Sequence, residues 1–195
     1  MAITDGARGG TESVVARATA AVRGGATMVQ LRLKDADART LVEVGRALVA
    51  AVPVPVLMND RADVALAAGA AGVHVGTEDL PVSAVRAFAP PGFIIGASVG
   101  SDAEVAGSRG ADYVGIGPVF STLSKSDAGV AIGVEEFARL ARACALPAVA
   151  IGGITEENAR AVMDAGASGV ALIRAVLGAP DPEQAARRIR AAIGR

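Results

Sequence analysis

One five-residue unit recurs four times along this 195-residue chain, and it limits the fold more than any other feature. Gly25-Ala26-Thr27-Met28-Val29, Gly69-Ala70-Ala71-Gly72-Val73, Gly110-Ala111-Asp112-Tyr113-Val114 and Gly166-Ala167-Ser168-Gly169-Val170 each follow a helical stretch and open an apolar run. The Gly suits the left-handed residue that ends a helix, and the Ala lets the chain turn tightly back onto a sheet. The units lie 44, 41 and 56 residues apart, about two strand–helix units each.

Apolar runs at 54–58, 93–98 and 148–151 and a short one at 2–4 bring the candidate strands to eight. Helical patterns lie between and after them. In 40–51, Leu41, Val44, Leu48 and Val49 share one helix face. The stretches 135–145 and 157–165 also read as helices. Thr155 ahead of Glu157-Asn158 predicts an N-cap with an acidic first turn. Asp181-Pro182-Glu183 predicts the start of the last helix, with Pro in its first turn. Eight strands alternating with helices in under 200 residues predict an α/β chain with one domain over 1–195, a compact (β/α)8 TIM barrel. A doubly wound open sheet is the competing arrangement. The first strand begins at residue two, without a lead-in.

Composition narrows the function. Apolar residues make up 52% of the chain but aromatics only 3%, which suits close helix-on-sheet packing. Net charge is −1, and no basic stripe or aromatic ladder suggests nucleic acid. No apolar run reaches the roughly 18 residues of a membrane span, and the first residues do not read as a signal peptide. A single Cys excludes an internal disulfide, and the expected location is the cytoplasm. The sequence does not decide between a monomer and a homo-oligomer.

Barrels place their chemistry at the C-terminal ends of the strands. After the second strand, Gln30, Arg32 and Lys34 alternate with Leu31 and Leu33, so the three polar side chains share one face. Asn59-Asp60 follows the third strand and Asp79 the fourth, which places two carboxylates at neighbouring strand ends. Such a pair repels unless a cation lies between. Mg²⁺ is the expected ion, because it takes one or two carboxylates and completes its shell with phosphate oxygens. Ser98 ends the fifth strand. A long polar stretch at 120–133 follows the sixth, holds Lys125, and is a candidate lid over the site. Gly152-Gly153 follows the seventh strand and Ile173-Arg174 the eighth, where barrels commonly hold a phosphate. Three cations and a metal pair suit a pyrophosphate, and a second phosphate site suggests two phosphorylated substrates.

Seven stretches resemble the thiamine phosphate synthase family, in order and along nearly the whole chain. They are Val29-Gln30-Leu31-Arg32-Leu33-Lys34, Met58-Asn59-Asp60-Arg61, residues 72–79, Gly96-Ala97-Ser98-Val99, residues 111–120, Thr122-Leu123-Ser124-Lys125 and Ala150-Ile151-Gly152-Gly153-Ile154. The resemblance implies a barrel transferase that joins an aminopyrimidine methyl pyrophosphate to a thiazole phosphate and releases pyrophosphate. It implies that Gln30, Arg32, Lys34, Asn59 and Lys125 bind the pyrimidine pyrophosphate, and that Asp60 and Asp79 hold Mg²⁺. Ser98 matches the family's site serine, and Thr122 and Ser124 its loop hydroxyls beside the thiazole. Gly153 and the Ile173 backbone match its phosphate cradle. Arg32, Ser98 and Lys125 are the expected catalytic residues. Leu33 stands where Glu is commoner and should point away from the site. Arg174 stands where Ser is usual, and its side chain either points outward or adds a charge contact to the phosphate.

Blander readings exist for single residues. Asp60 and Asp79 could cap helices, Arg32 and Lys34 could form a structural rim, and Gly152-Gly153 could be a tight turn. His74, inside the fourth strand, reads as a satisfied core histidine, and Cys144 as packing. Rival functions are a thiazole tautomerase on the same barrel and a non-catalytic phosphate-ligand sensor. The tautomerase branch carries His where this chain has Pro118 and lacks the acidic pair.

Overall fold

The computed structural model describes residues 1–5, 10–122 and 129–194. The strands are β1 Ala2–Ile3, β2 Val29–Leu31, β3 Val56–Asn59, β4 Gly72–Val75, β5 Ile94–Val99, β6 Tyr113–Ile116, β7 Ala148–Ile151 and β8 Gly169–Ala171. They pair in parallel and in chain order. The ends of this sheet meet. The Ile3 N–H donates to Leu172 O at 2.9 Å and the Leu172 N–H to Met1 O at 3.1 Å. Carried from Leu172 back through the seven ladders, the register arrives level with position 10, yet Leu172 itself bridges to Ala2. That offset of eight residues is the shear of an eight-stranded TIM barrel. The (β/α)8 expectation holds, and the open sheet does not.

Helices α1 Gly10–Arg23, α2 Ala38–Ala51, α3 Ala62–Ala68, α4 Val82–Phe88, α5 Asp102–Val105, α6 Gly133–Cys144, α7 Ala159–Asp164, α8 Arg174–Leu177 and α9 Pro182–Ala192 surround the strands. The four recurring glycines, Gly25, Gly69, Gly110 and Gly166, have φ of 104°, 70°, 87° and 100°. Each sits in the left-handed turn between a helical segment and the next strand, as the repeat predicts.

Period two sorts the strand residues into two layers. Val29, Leu31, Leu33, Met58, Val73 and Ile95 face outward and belong to one core cluster that includes Leu41, Val44 and Leu48 of α2. Val114, Ile116, Ala148, Ala150 and Val170 belong to a second, with Phe137, Leu140, Val162 and Ile189. Leu33 therefore points away from the barrel interior, as expected. Inside, Ile3, Ala171, Ile173, Val149 and Ile151 form a smaller apolar cluster.

Local boundaries differ where side chains rather than periodicity decide them. The strands expected at 54–58 and 93–98 run as Val56–Asn59 and Ile94–Val99. Helix α2 starts at Ala38, two residues before the expected stretch 40–51, because Asp37 accepts the Thr40 N–H at 2.8 Å. Thr155 is not the cap of α7. That helix begins at Ala159, and Asn158 spans the preceding turn by accepting the Thr155 N–H and donating to Gly153 O. An amide both accepts and donates across such a turn, so Asn158 satisfies two backbone groups at once. Asp181 does cap α9, accepting the Gln184 N–H at 3.0 Å. Among the described residues no helix is long and apolar enough to cross a membrane.

Candidate active site

The C-terminal strand ends enclose a cavity of about 610 Å³. Arg32, Lys34, Asn59, Asp60, Asp79, Ser98, Thr122, Gly153, Ile173 and Arg174 all line it. Ser124 and Lys125 lie outside the described residues. So do residues 123–128 in the middle of the candidate lid. Its two described ends are anchored to the exit of β6, where the Ile132 N–H donates to Pro118 O and the Gly133 N–H to Val119 O.

Arg32 is held hard. It is only 4% exposed, and its guanidinium pairs with Asp5 at 2.8 Å. Thr4 fixes the same residue from the side. Its hydroxyl accepts the Arg32 N–H at 2.8 Å and donates to Arg32 O at 3.0 Å, which extends the β1–β2 ladder through a side chain. A buried guanidinium needs a counter-charge, and its planar fork retains further donors for a phosphate. Gln30 lies one inward step below Arg32, also buried, and is not among the residues lining the cavity. Period two from Ile3 would have placed Asp5 on the inward face, but so short a strand gave no signal for it.

The two carboxylates differ in how they are built. Asp60 is exposed and has φ of 64°, while its N–H donates to His74 O at 2.8 Å. Outside glycine that backbone is uncommon, and Asp is among the side chains that tolerate it. Asp79 accepts the Gly76 N–H at 2.7 Å and so closes the turn after β4. Neither aspartate caps a helix, since the N-cap residues of α3 and α4 are Arg61 and Pro81, without a side-chain cap. A carboxylate offers about four acceptor sites, and the turn engages few of those of Asp79. Among the described residues no group of three or more His, Cys, Asp or Glu could hold a metal alone. Two carboxylates on one cavity suit an ion whose remaining ligands are water and phosphate oxygens, and Mg²⁺ has that habit.

Opposite lies a glycine-lined wall. Gly152 and Gly153 have φ of 94° and 63°. A Cβ on Gly152 would meet Pro118 at 2.5 Å, and one on Gly153 would meet Ser121 O at 2.6 Å. These glycines let the β6 exit run beside the β7 exit, where the Val119 N–H donates to Ile151 O and the Phe120 N–H to Gly152 O. The tight-turn reading is right about the backbone, and the pair still lines the cavity. Arg174 is exposed at the rim and Ile173 buried beneath it.

Two further groups reach the cavity. Glu104 of α5 accepts the Gly100 N–H at 2.5 Å. His74, expected in the core, is satisfied by hydrogen bonds, yet it lies on the inward face of β4 and lines the cavity. Cys144 packs beside the α6–β7 core, with burial pushing its thiol pKa up.

A family model described as thiamine monophosphate synthase matches residues 1–176. The thiamine-phosphate synthase of Roseiflexus castenholzii is 48% identical over 96% of this chain and 84% of its own length. That of Azorhizobium caulinodans is 49% identical over 89% of this chain and 84% of its own. Among solved structures, a thiamine phosphate pyrophosphorylase from Pyrococcus furiosus superposes with a TM-score of 0.88 at 38% identity, covering 98% of this chain and 94% of that one. The barrel, the strand-end residues and these likenesses agree, and the chain belongs to the thiamine monophosphate synthase family of transferases.

Proposed function

We propose that this cavity transfers an aminopyrimidinyl methyl group from its pyrophosphate ester to the ring nitrogen of a thiazole phosphate, with Mg²⁺ bound by Asp60 and Asp79. The observation that carries the reading is the convergence of Arg32, Lys34, Asn59, Asp60, Asp79 and Ser98 on one cavity whose other wall is Gly152-Gly153 and Ile173. Cations and carboxylates on one side suit a metal-bound pyrophosphate, and the backbone-lined side leaves room for a phosphate monoester.

In this reading Arg32 and Lys34 grip the pyrophosphate oxygens, and Asp5 keeps the Arg32 fork in place. Asp60 and Asp79 would hold Mg²⁺, which when bound would supply charge neutralisation for the leaving group. The bond from the methylene carbon to oxygen breaks, and its electron pair leaves with pyrophosphate. The thiazole nitrogen lone pair then forms the new C–N bond. No general base is needed, because that nitrogen carries no proton to lose. Lys125, Thr122 and Ser124 belong to the same proposal as ligands of the pyrophosphate and of the thiazole. Gln30, expected to bind the pyrimidine pyrophosphate, is buried beneath Arg32 and outside the cavity lining, so in this reading it supports the Arg32 layer from below.

The test is direct. The protein is incubated with both phosphorylated substrates, with and without Mg²⁺, and thiamine phosphate is measured. Product formed only with Mg²⁺ supports the reading, and absence of product under every condition overturns it.

A further inference from the structure

Three inward-facing side chains, two lining the cavity and Tyr113 outside its lining, form a chain of hydrogen bonds. His74 of β4 is in register with Gly96 of β5, which is in register with Tyr113 of β6. His74 and Tyr113 reach towards each other across that glycine, and the His74 Nδ1 lies 2.9 Å from the Tyr113 hydroxyl. Two residues further along β5, the Ser98 hydroxyl lies 3.0 Å from His74 Nε2. The space is built for this pair. A Cβ on Gly96 would meet the Tyr113 ring at 2.2 Å and His74 Nδ1 at 2.5 Å, and one on Gly115 would meet the His74 ring at 3.0 Å.

The polarity of the chain follows from Tyr113. Its phenol is 7% exposed, and burial drives its pKa up, so the proton stays on oxygen. A buried hydroxyl proton needs an acceptor. Among the described residues, the hydrogen-bond partner of Tyr113 is His74. Tyr113 therefore donates to Nδ1, which must carry no proton. A neutral imidazole then carries its proton on Nε2, and that N–H donates to Ser98 Oγ. With its oxygen accepting from below, the Ser98 hydroxyl turns its own proton towards the cavity it lines.

We propose that His74 is a positioning residue, held by Tyr113 as the Nε2–H tautomer, that makes Ser98 a dedicated hydrogen-bond donor to a phosphoryl oxygen of the cavity's ligand. The identity of that ligand rests on the function proposed above, but the tautomer does not. In either other state of the ring, Tyr113 would have to accept from an Nδ1–H and its own proton would lose its acceptor. An unaligned serine hydroxyl divides its time between donating and accepting, whereas a phosphate anion offers only acceptors. The relay removes that ambiguity before the ligand arrives, which is the preorganisation that makes a single donor effective.

The chain has one histidine, so labelling its ring with ¹⁵N gives two assignable nitrogens. At neutral pH the expected spectrum has a protonated Nε2 and an unprotonated Nδ1 in the wild type. Tyr113→Phe is expected to shift the ring towards a mixture of tautomers. A proton on Nδ1 in the wild type, or an unchanged spectrum in Tyr113→Phe, overturns the proposal. The functional arm uses inorganic pyrophosphate with Mg²⁺ as a binding probe, beside turnover. His74→Leu is expected to weaken the probe and lower kcat/KM by roughly 10-fold or more. His74→Gln, which restores an N–H near the Nε2 position, recovers most of that loss. In a Ser98→Ala background the His74→Leu change should have little further effect. Equal effects of Leu and Gln, or an undiminished His74→Leu effect without Ser98, overturn the proposal. If His74→Leu fails to fold, the wild-type and Tyr113→Phe spectra still decide. Wild-type protein that shows the tautomer and binds pyrophosphate, but makes no thiamine phosphate, overturns the reaction while the relay stands.

Discussion

Asp60 combines a charge with a backbone few residues accept, and the two can be separated by substitution. Asp60→Asn removes the charge but keeps a side chain that tolerates positive φ. Its thermal stability should stay within about 0.5 kcal/mol of the wild type, while Mg²⁺-dependent turnover falls by at least roughly 100-fold. Asp60→Gly relieves the left-handed backbone, worth about 1 kcal/mol, so it should melt higher and be equally inactive. Calorimetry with steady-state kinetics checks both, and full activity in Asp60→Asn would remove Asp60 from the metal site. Arg32 poses the complementary case, a buried cation with an ion pair to a part-exposed carboxylate. Asp5→Asn should lower stability by about 1–3 kcal/mol and raise KM for the pyrimidine pyrophosphate, because the fork loses its fixed orientation. Unchanged stability and KM would mean that Thr4 and the barrel wall suffice to hold Arg32.

At the scale of elements, the β6 and β7 exits are one unit, joined by two backbone hydrogen bonds and shaped by Gly152-Gly153. Gly153→Ala puts a Cβ at φ of 63° and within 2.8 Å of three atoms of Phe120 and Ser121, two of them backbone oxygens. The expected cost is about 1–3 kcal/mol, with a larger loss of affinity for the phosphate monoester than for the pyrophosphate. Equal loss for both substrates would place the damage in the barrel as a whole. The same elements show what a sequence reveals. The recurring glycines, the period-two alternation of Gln30, Arg32 and Lys34, and the polar residues at successive strand ends are local patterns, and they were legible. Helix starts were less so, because Asn158 and Asp37 decide them by hydrogen bonds that compete with periodicity. The His74–Tyr113–Ser98 chain was not legible. Its members are up to 39 residues apart and meet only because three strands share a register. Asp5 was hidden for a similar reason, since its partner Arg32 lies 27 residues away.

Over the whole molecule the charges nearly balance, 19 basic against 20 acidic, so acid stability depends on how individual carboxylates are held rather than on net repulsion. Several sit below the usual carboxylate range. The Thr40 backbone N–H lowers Asp37, Arg61 lowers Asp63, and Arg23 lowers Glu183. Arg139 lowers two at once, Asp102 of α5 and Glu136 of α6, and thereby ties those helices together. A carboxyl with a depressed folded pKa binds fewer protons in the native state than in the unfolded one. Its stabilisation is present above the unfolded pKa of roughly 4 and is lost as pH falls through the lower folded value. The melting temperature set by these groups should therefore be level from about pH 8 to pH 5 and decline below that. Arg139→Ala supplies the check. It should melt below the wild type at neutral pH, with a gap that narrows steadily as pH drops from about 5 to 2.5, since Asp102 and Glu136 become neutral in both proteins. These groups are exposed, so 1 M salt should also narrow the gap at neutral pH. A gap independent of both pH and salt would mean that Arg139 acts through the packing of its stem between α5 and α6, with the ion pairs contributing nothing measurable.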